Sequence, residues 1–300
     1  MTSLSTGGTM NEHNDLVRSD SSEMTSAPLQ PMSLVDILDG MFSLYRQHFR
    51  LFVRIFSVYL VLGFAINLIS VSAVIGATPV TAIIIRTFTA IGGFLVSFWV
   101  GAGLVYASTQ VYLSRDIASQ EALQQAWRRF LPLLGSTMLY YLVTICLSVT
   151  IIGIPFAIYF AFRWGLFTLP VLFEETTARN ALRRSTELVK GTWWRVFGIM
   201  LAISLIAFMI AFILQTSYVI ILSTLIGSTG AEDLDFWRTI QRLFAPTPLD
   251  IGWAAYIIHT LGSLIIVGFT MPISAIGTAL LYFDIRIRKE AFDIEMQVTN

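Results

Sequence analysis

Six long apolar runs constrain this chain more than anything else in it. They cover about residues 51–77, 82–113, 133–152, 155–173, 194–226 and 251–282. A helix needs about 20 apolar residues to cross the hydrocarbon layer of a bilayer, and each run supplies roughly that many. Composition agrees: charged residues make up 13% of the chain, against about 25% in soluble domains. That is too little charge to cover a water-facing surface. The expected fold class is therefore all-α, a polytopic membrane helical bundle with six transmembrane helices.

Three of the runs, 82–113, 194–226 and 251–282, exceed the thickness of a bilayer. Such helices must tilt, kink or project beyond the membrane. Gly268 and Pro272 predict a kink in the last of them. Thr78-Pro79 marks a turn between the first two spans. Gly153-Ile154-Pro155 is so short a link that spans three and four should form a tight antiparallel hairpin.

An amphipathic segment precedes each odd-numbered span. Leu34, Ile37, Leu38, Met41, Phe42, Tyr45 and Phe49 recur at spacings of three and four, with Ser33 as N-cap. Leu123, Ala126, Trp127, Phe130 and Leu131 form a second stripe, ended by Pro132. Ala178, Ala181, Leu182, Ser185, Leu188 and Val189 form a third, closed by Gly191. These read as three cytoplasmic-side amphipathic helices, suited to the headgroup interface or to packing beneath the bundle.

Residues 1–30 are rich in Ser, Thr and acids and lack the apolar core of a secretory signal, which predicts a disordered cytoplasmic tail. Residues 31–295 form one membrane domain, and 296–300 a C-terminal tail. With the N-terminus inside, fourteen basic side chains fall on the inner side, among them Arg46, Arg115, Arg128, Arg179, Lys190 and Arg288. The opposite loops hold only Arg238 and Arg242. Basic residues concentrate in cytoplasmic loops, so both termini are expected in the cytoplasm. A short helix is expected at the outer interface around Phe236-Trp237.

Chemistry-bearing motifs are scarce. The only cysteine, Cys146, lies inside an apolar run, which excludes an intrachain disulfide. His13, His48 and His259 are scattered, and no metal or nucleotide motif occurs, so neither a cofactor nor a catalytic constellation is expected. Zero formal net charge excludes a polycation built to coat nucleic acid.

Arg163 stands out, eight residues into span four and near the expected bilayer centre, where a charge is costly. It is either a structural arginine satisfied by neighbouring helices or, with His259, a site for an anionic group. Gly93, Ser97 and Gly101 fall every four residues on span two and predict a small-residue ridge for close helix packing, within the chain or between two copies. Glu174 and Glu175 end span four beside Arg183, Arg184, Arg195, Asp284 and Arg286, which predicts a cytoplasmic ion-pair cluster clamping the third amphipathic helix to spans four and six.

The block Arg163-Trp164, Pro170, Glu174, Ala181-Leu182-Arg183-Arg184-Ser185, Gly191 and Trp194-Arg195-Val196-Phe197 resembles a bacterial membrane family. So does the ending Leu281-Tyr282-Phe283-Asp284-Ile285-Arg286-Ile287-Arg288-Lys289-Glu290. With the helix from Leu34 to Phe49, these residues are similar to the glycerophosphoryl diester phosphodiesterase membrane-domain family over about 31–295. In such enzymes the resemblance implies an accessory domain beside a separate catalytic barrel. This chain has no His-Arg-Gly start and no room for a barrel, so the enzymatic activity is not carried over. The expected role is a non-catalytic scaffold or lipid-interacting accessory module of the bacterial inner membrane. Its expected contacts are anionic headgroups, a membrane-protein partner or a second copy. The competing role is a transporter component moving an anionic or lipid substrate.

Overall fold

The computed structural model describes residues 32–174, 176–226 and 247–299, and among these the chain forms helices joined by short links, without strands. The helices are α1 (Leu34–Gln47), α2 (Phe49–Val74), α3 (Pro79–Tyr112), α4 (Ser119–Arg128), α5 (Phe130–Ser148), α6 (Gly153–Trp164), α7 (Thr168–Phe173), α8 (Ala178–Val189), α9 (Trp193–Ile226), the single turn α10 (Pro248–Ile251) and α11 (Trp253–Thr299). Six stretches are long and apolar enough to cross a membrane: α2, α3, α5, residues 153–173, α9 and the first 37 residues of α11. The expected tail at 1–30, the outer helix near Phe236-Trp237 and Glu175 lie outside the described residues.

Local chemistry sets the helix boundaries. Ser33 begins α1 with a capping box: its hydroxyl accepts from the Asp36 N–H, and the Asp36 carboxylate accepts from the Ser33 N–H at 2.7 Å. Thr78 caps α3, with Pro79 at the first helical position where a missing N–H costs nothing. Gly153 turns α5 into α6. A Cβ there would lie 1.9 Å from the Leu147 carbonyl oxygen, so the hairpin closes this tightly only on glycine.

Helix α11 is the axis of the molecule, and four helices follow it. α1 and α2 run antiparallel to it along almost its whole course. Met32 meets Asp284, Gly40 faces Leu280, Tyr45 donates to the Phe269 carbonyl, Phe56 seats on Gly268, and Tyr256 donates to Asn67. α9 is antiparallel on another side, through Arg195 to Asp284, Ile203 on Gly277 and Gln215 to Ser263. α3 runs parallel to α11, with Gly101 near Met271 and Tyr112 stacked on Phe283.

The excess length of α3, α9 and α11 is used to build a base. Their ends at Val100–Val111, Val196–Ile203 and Ile273–Ile285 carry most of the buried core. The amphipathic helices close around them. Ile37 and Met41 of α1, Ala122 of α4, and Leu188 and Val189 of α8 are buried in the same cluster. The Trp99 indole donates to the Leu123 carbonyl at 3.0 Å, holding α4 against α3. Of the two placements their sequences allow, the amphipathic helices thus pack on the bundle. Outside the base, apolar side chains such as Val61, Phe88, Phe208 and Ile221 are exposed, as lipid-facing residues are.

Two boundaries differ from the sequence reading. Span four, expected as one helix over 155–173, breaks at Gly165–Phe167 into α6 and α7. Span six, expected to end near 282, continues to Thr299, and the helix passes through Pro272 without interruption. The third and fourth spans also sit unexpectedly. Tyr159 stacks on Trp193, Phe162 meets Phe197 and Gly165 lies under Met200, so α6 runs beside the start of α9 in the same direction. The hairpin is anchored at its root, where Ser136 and Trp164 bond to α8, while its tip at Val149–Ile152 is exposed.

Candidate functional site

The base is held by two polar stations. At the first, Asp284 is fully buried, yet its carboxylate is saturated. Oδ1 accepts from the Met32 N–H at 2.8 Å and Arg288 Nε at 2.9 Å; Oδ2 accepts from Arg195 Nε at 3.1 Å and Nη2 at 2.9 Å. Both guanidinium groups also donate to the Met32 carbonyl. One carboxylate and two arginines thereby grip both backbone polar groups of one residue, Met32, at the start of α1. A buried charge is tolerated only when paired and hydrogen-bonded, and this one is both.

The second station is Glu174, at the end of α7. Its carboxylate receives Arg184 Nε at 3.2 Å and 3.3 Å and the Tyr282 hydroxyl at 2.6 Å, with Arg286 Nη1 at 4.0 Å. It connects α7, α8 and α11. Of the residues expected to cluster, Glu174, Arg184, Arg195, Asp284 and Arg286 therefore fall into two neighbouring stations. Arg183 joins neither, because one position along α8 turns it outward, where it pairs with Glu187 at 3.0 Å. Sequence reasoning missed Tyr282, Arg288 and the Met32 peptide. The i,i+4 spacing of Asp284 and Arg288 was the available signal for one of them.

Arg163 and His259 do not share a site. Arg163 Nη1 donates to the Tyr159 hydroxyl at 3.0 Å, and the guanidinium lies 5.5 Å from that ring's centroid. Its carbonyl accepts from Ser185 of α8. It is level with Trp193 and Phe197 in the first turns of α9, not midway along the bundle. The break at Gly165–Phe167 shortens α6 to 12 residues and brings Arg163 to the amphipathic helices and the Trp164, Trp193 and Trp194 aromatics. His259 is buried beside Tyr218, 25 residues further along α9 than Trp193, about 38 Å at helical rise.

The expected ridge is loose. A Cβ on Gly93 would meet nothing within 4 Å, and one on Gly101 would meet only the Met271 methyl at 4.0 Å. The tight approaches are on α11 instead: a Cβ on Gly268 would lie 1.7 Å from the Phe56 ring, and one on Gly262 2.2 Å from Tyr218. No group of three His, Cys, Asp or Glu side chains among the described residues is arranged to hold a metal.

This arrangement runs through a stretch with a known family signature. Residues 139–280 match the membrane domain of glycerophosphoryl diester phosphodiesterase. That match takes in 142 of the 300 residues, just under half of the chain. The membrane-domain match takes in Arg163, Glu174, Arg184, Arg195 and His259 and stops just short of Tyr282 and Asp284. It also leaves out α1 to α4, which are among the residues that the core and the Asp284 station, a latch between α1, α9 and α11, join to it. No curated protein and no solved structure matches the chain.

Proposed function

We propose that the chain is a non-catalytic accessory module of the bacterial inner membrane, a scaffold whose base lies in the cytoplasm and meets anionic lipid headgroups. The Asp284 station carries this reading. It fixes α1, α9 and α11 to one another with every acceptor position used internally, an arrangement suited to rigidity and not to substrate. On the helices and links that build the base, Arg46, Arg50, Arg115, Arg128, Arg179 and Lys190 are exposed. A basic residue near an anionic membrane surface contributes about 1 kcal/mol, so a collar of this kind holds several headgroups. The same asymmetry of charge favours both termini in the cytoplasm. Arg163, the residue on which the anion-transport reading turns, lines none of three cavities found among the described residues, which favours the scaffold over the transporter.

Native mass spectrometry of the full chain from bilayers of mixed anionic and zwitterionic phospholipid tests this. The expected result is retention of anionic lipid, reduced several-fold in Arg46→Gln/Arg50→Gln/Arg128→Gln. Equal retention by that variant would overturn the collar. Hydrolysis of a glycerophosphodiester by the purified chain, abolished by a point substitution within it, would overturn the non-catalytic reading.

A further inference from the structure

The half of the bundle away from the base contains a cavity of about 640 Å³ between α2, α9 and α11. Its apolar walls include Phe208, Phe212 and Leu264, and its polar groups are Asn67, Gln215, Tyr256, His259, Thr260 and Ser263. All lie on membrane-spanning helices. No Asp, Glu, Lys or Arg is among the twelve lining residues.

The polar groups are partly committed to one another. Tyr256 donates to the Asn67 side-chain oxygen, and Gln215 Nε2 donates to the Ser263 hydroxyl at 2.9 Å. These bonds use the acceptor of Asn67 and one N–H of Gln215. They leave the Asn67 amide donors and the Gln215 carbonyl to be satisfied. In hydrocarbon an unpaired amide group costs several kcal/mol, so the cavity demands a ligand offering an acceptor and a donor together. The cavity is open on the side of the exposed Phe208 and Phe212, and an apolar cleft of this size with a few convergent polar groups is a usual form of small-molecule site.

We infer that this cavity binds an uncharged glycerolipid of the diacylglycerol class. Its free hydroxyl supplies the donor for Gln215, its ester carbonyl the acceptor for Asn67, and its chains lie against the aromatic walls. The absence of any charged lining group disfavours a phosphate-bearing head, whose charge would be buried without a counter-ion. The ligand enters from the bilayer, because the cavity lies between spanning helices. This site stands without the headgroup collar, which is at the other end: Asp284 is 25 residues from His259 along α11, about 38 Å at helical rise.

Photocrosslinking tests the inference on the full chain in nanodiscs, with a photoactivatable diacylglycerol and a photoactivatable phosphatidylglycerol as matched probes. The diacylglycerol probe should label peptides around Gln215 and Tyr256–Ser263 at least fivefold more than the anionic probe. Unlabelled diacylglycerol should compete, and free glycerol should not. Asn67→Leu and Gln215→Leu should each cut labelling at least threefold. Asp284→Asn, which disturbs only the base, should leave it unchanged. Equal labelling by the two probes, labelling spread over all lipid-facing helices, or competition by free glycerol would overturn the inference. The wild-type labelling pattern decides the matter even if a variant fails to fold.

Discussion

Asp284 shows how much one residue can determine here. Its carboxylate is out of water, and two guanidinium groups and a backbone N–H converge on it. Removing the charge leaves Arg195 and Arg288 opposed without their counter-ion and weakens the hold on the Met32 N–H. Breaking a buried pair costs about 3–5 kcal/mol; Arg195 and Arg288 retain some solvent, so Asp284→Asn should cost about 3 kcal/mol, read as a lowered melting temperature in detergent. Glu174→Gln should cost about 1 kcal/mol, because Glu174 is partly solvated where Asp284 is fully buried and the Tyr282 hydroxyl still finds an oxygen. A milder pH effect belongs to Asp36, whose carboxyl is held below its ordinary value of 3.8 by the Ser33 N–H first and the Ser33 hydroxyl second. A depressed folded-state value means that its contribution to α1 is present above 3.8 and is lost as pH falls below it through the lowered value. Amide exchange in α1 should accelerate over that window in wild type and show no such step in Asp36→Asn.

At the scale of elements, the six spans and three amphipathic helices were legible because apolar length and periodicity are local properties. Leu34 to Phe49 announces α1 by spacing alone, and Thr78-Pro79 announces the start of α3. Contacts between elements were not legible. The ridge Gly93, Ser97 and Gly101 has the right spacing for close packing, but the close packing occurs at Gly268, where only the partner Phe56 reveals the need for glycine. Gly268→Ala should therefore destabilise by about 1–3 kcal/mol, as overpacking does, whereas Gly93→Ala should be neutral in the same melting assay. The position of Arg163 is hidden in the sequence for a related reason: residue spacing gives depth only along a continuous span, and this one breaks at Gly165–Phe167. The α5–α6 hairpin can be located through Cys146, exposed on its apolar surface and the one thiol in the chain. In intact membranes Cys146 should resist a water-soluble maleimide and react fully after denaturation, since thiolate chemistry needs water. Rapid labelling in membranes would place the hairpin outside the lipid.

Across the whole molecule, the ends of long helices that overshoot the bilayer are gathered by short amphipathic ones into a base with its own buried core. The family match at 139–280 covers the middle of this assembly, while the latch acceptor Asp284 and the peptide it holds lie outside that range. A scaffold requires this base to behave as one body. Hydrogen exchange of the full chain in nanodiscs, wild type against Asp284→Asn, measures that directly. The account predicts slow exchange throughout α1 and α8 in wild type, and faster exchange in both, at least tenfold, when Asp284 is neutralised, with the bilayer portions of α2 and α9 unchanged. Fast exchange of α1 in wild type, or an Asp284→Asn variant indistinguishable from it, would contradict a base held rigid by this latch.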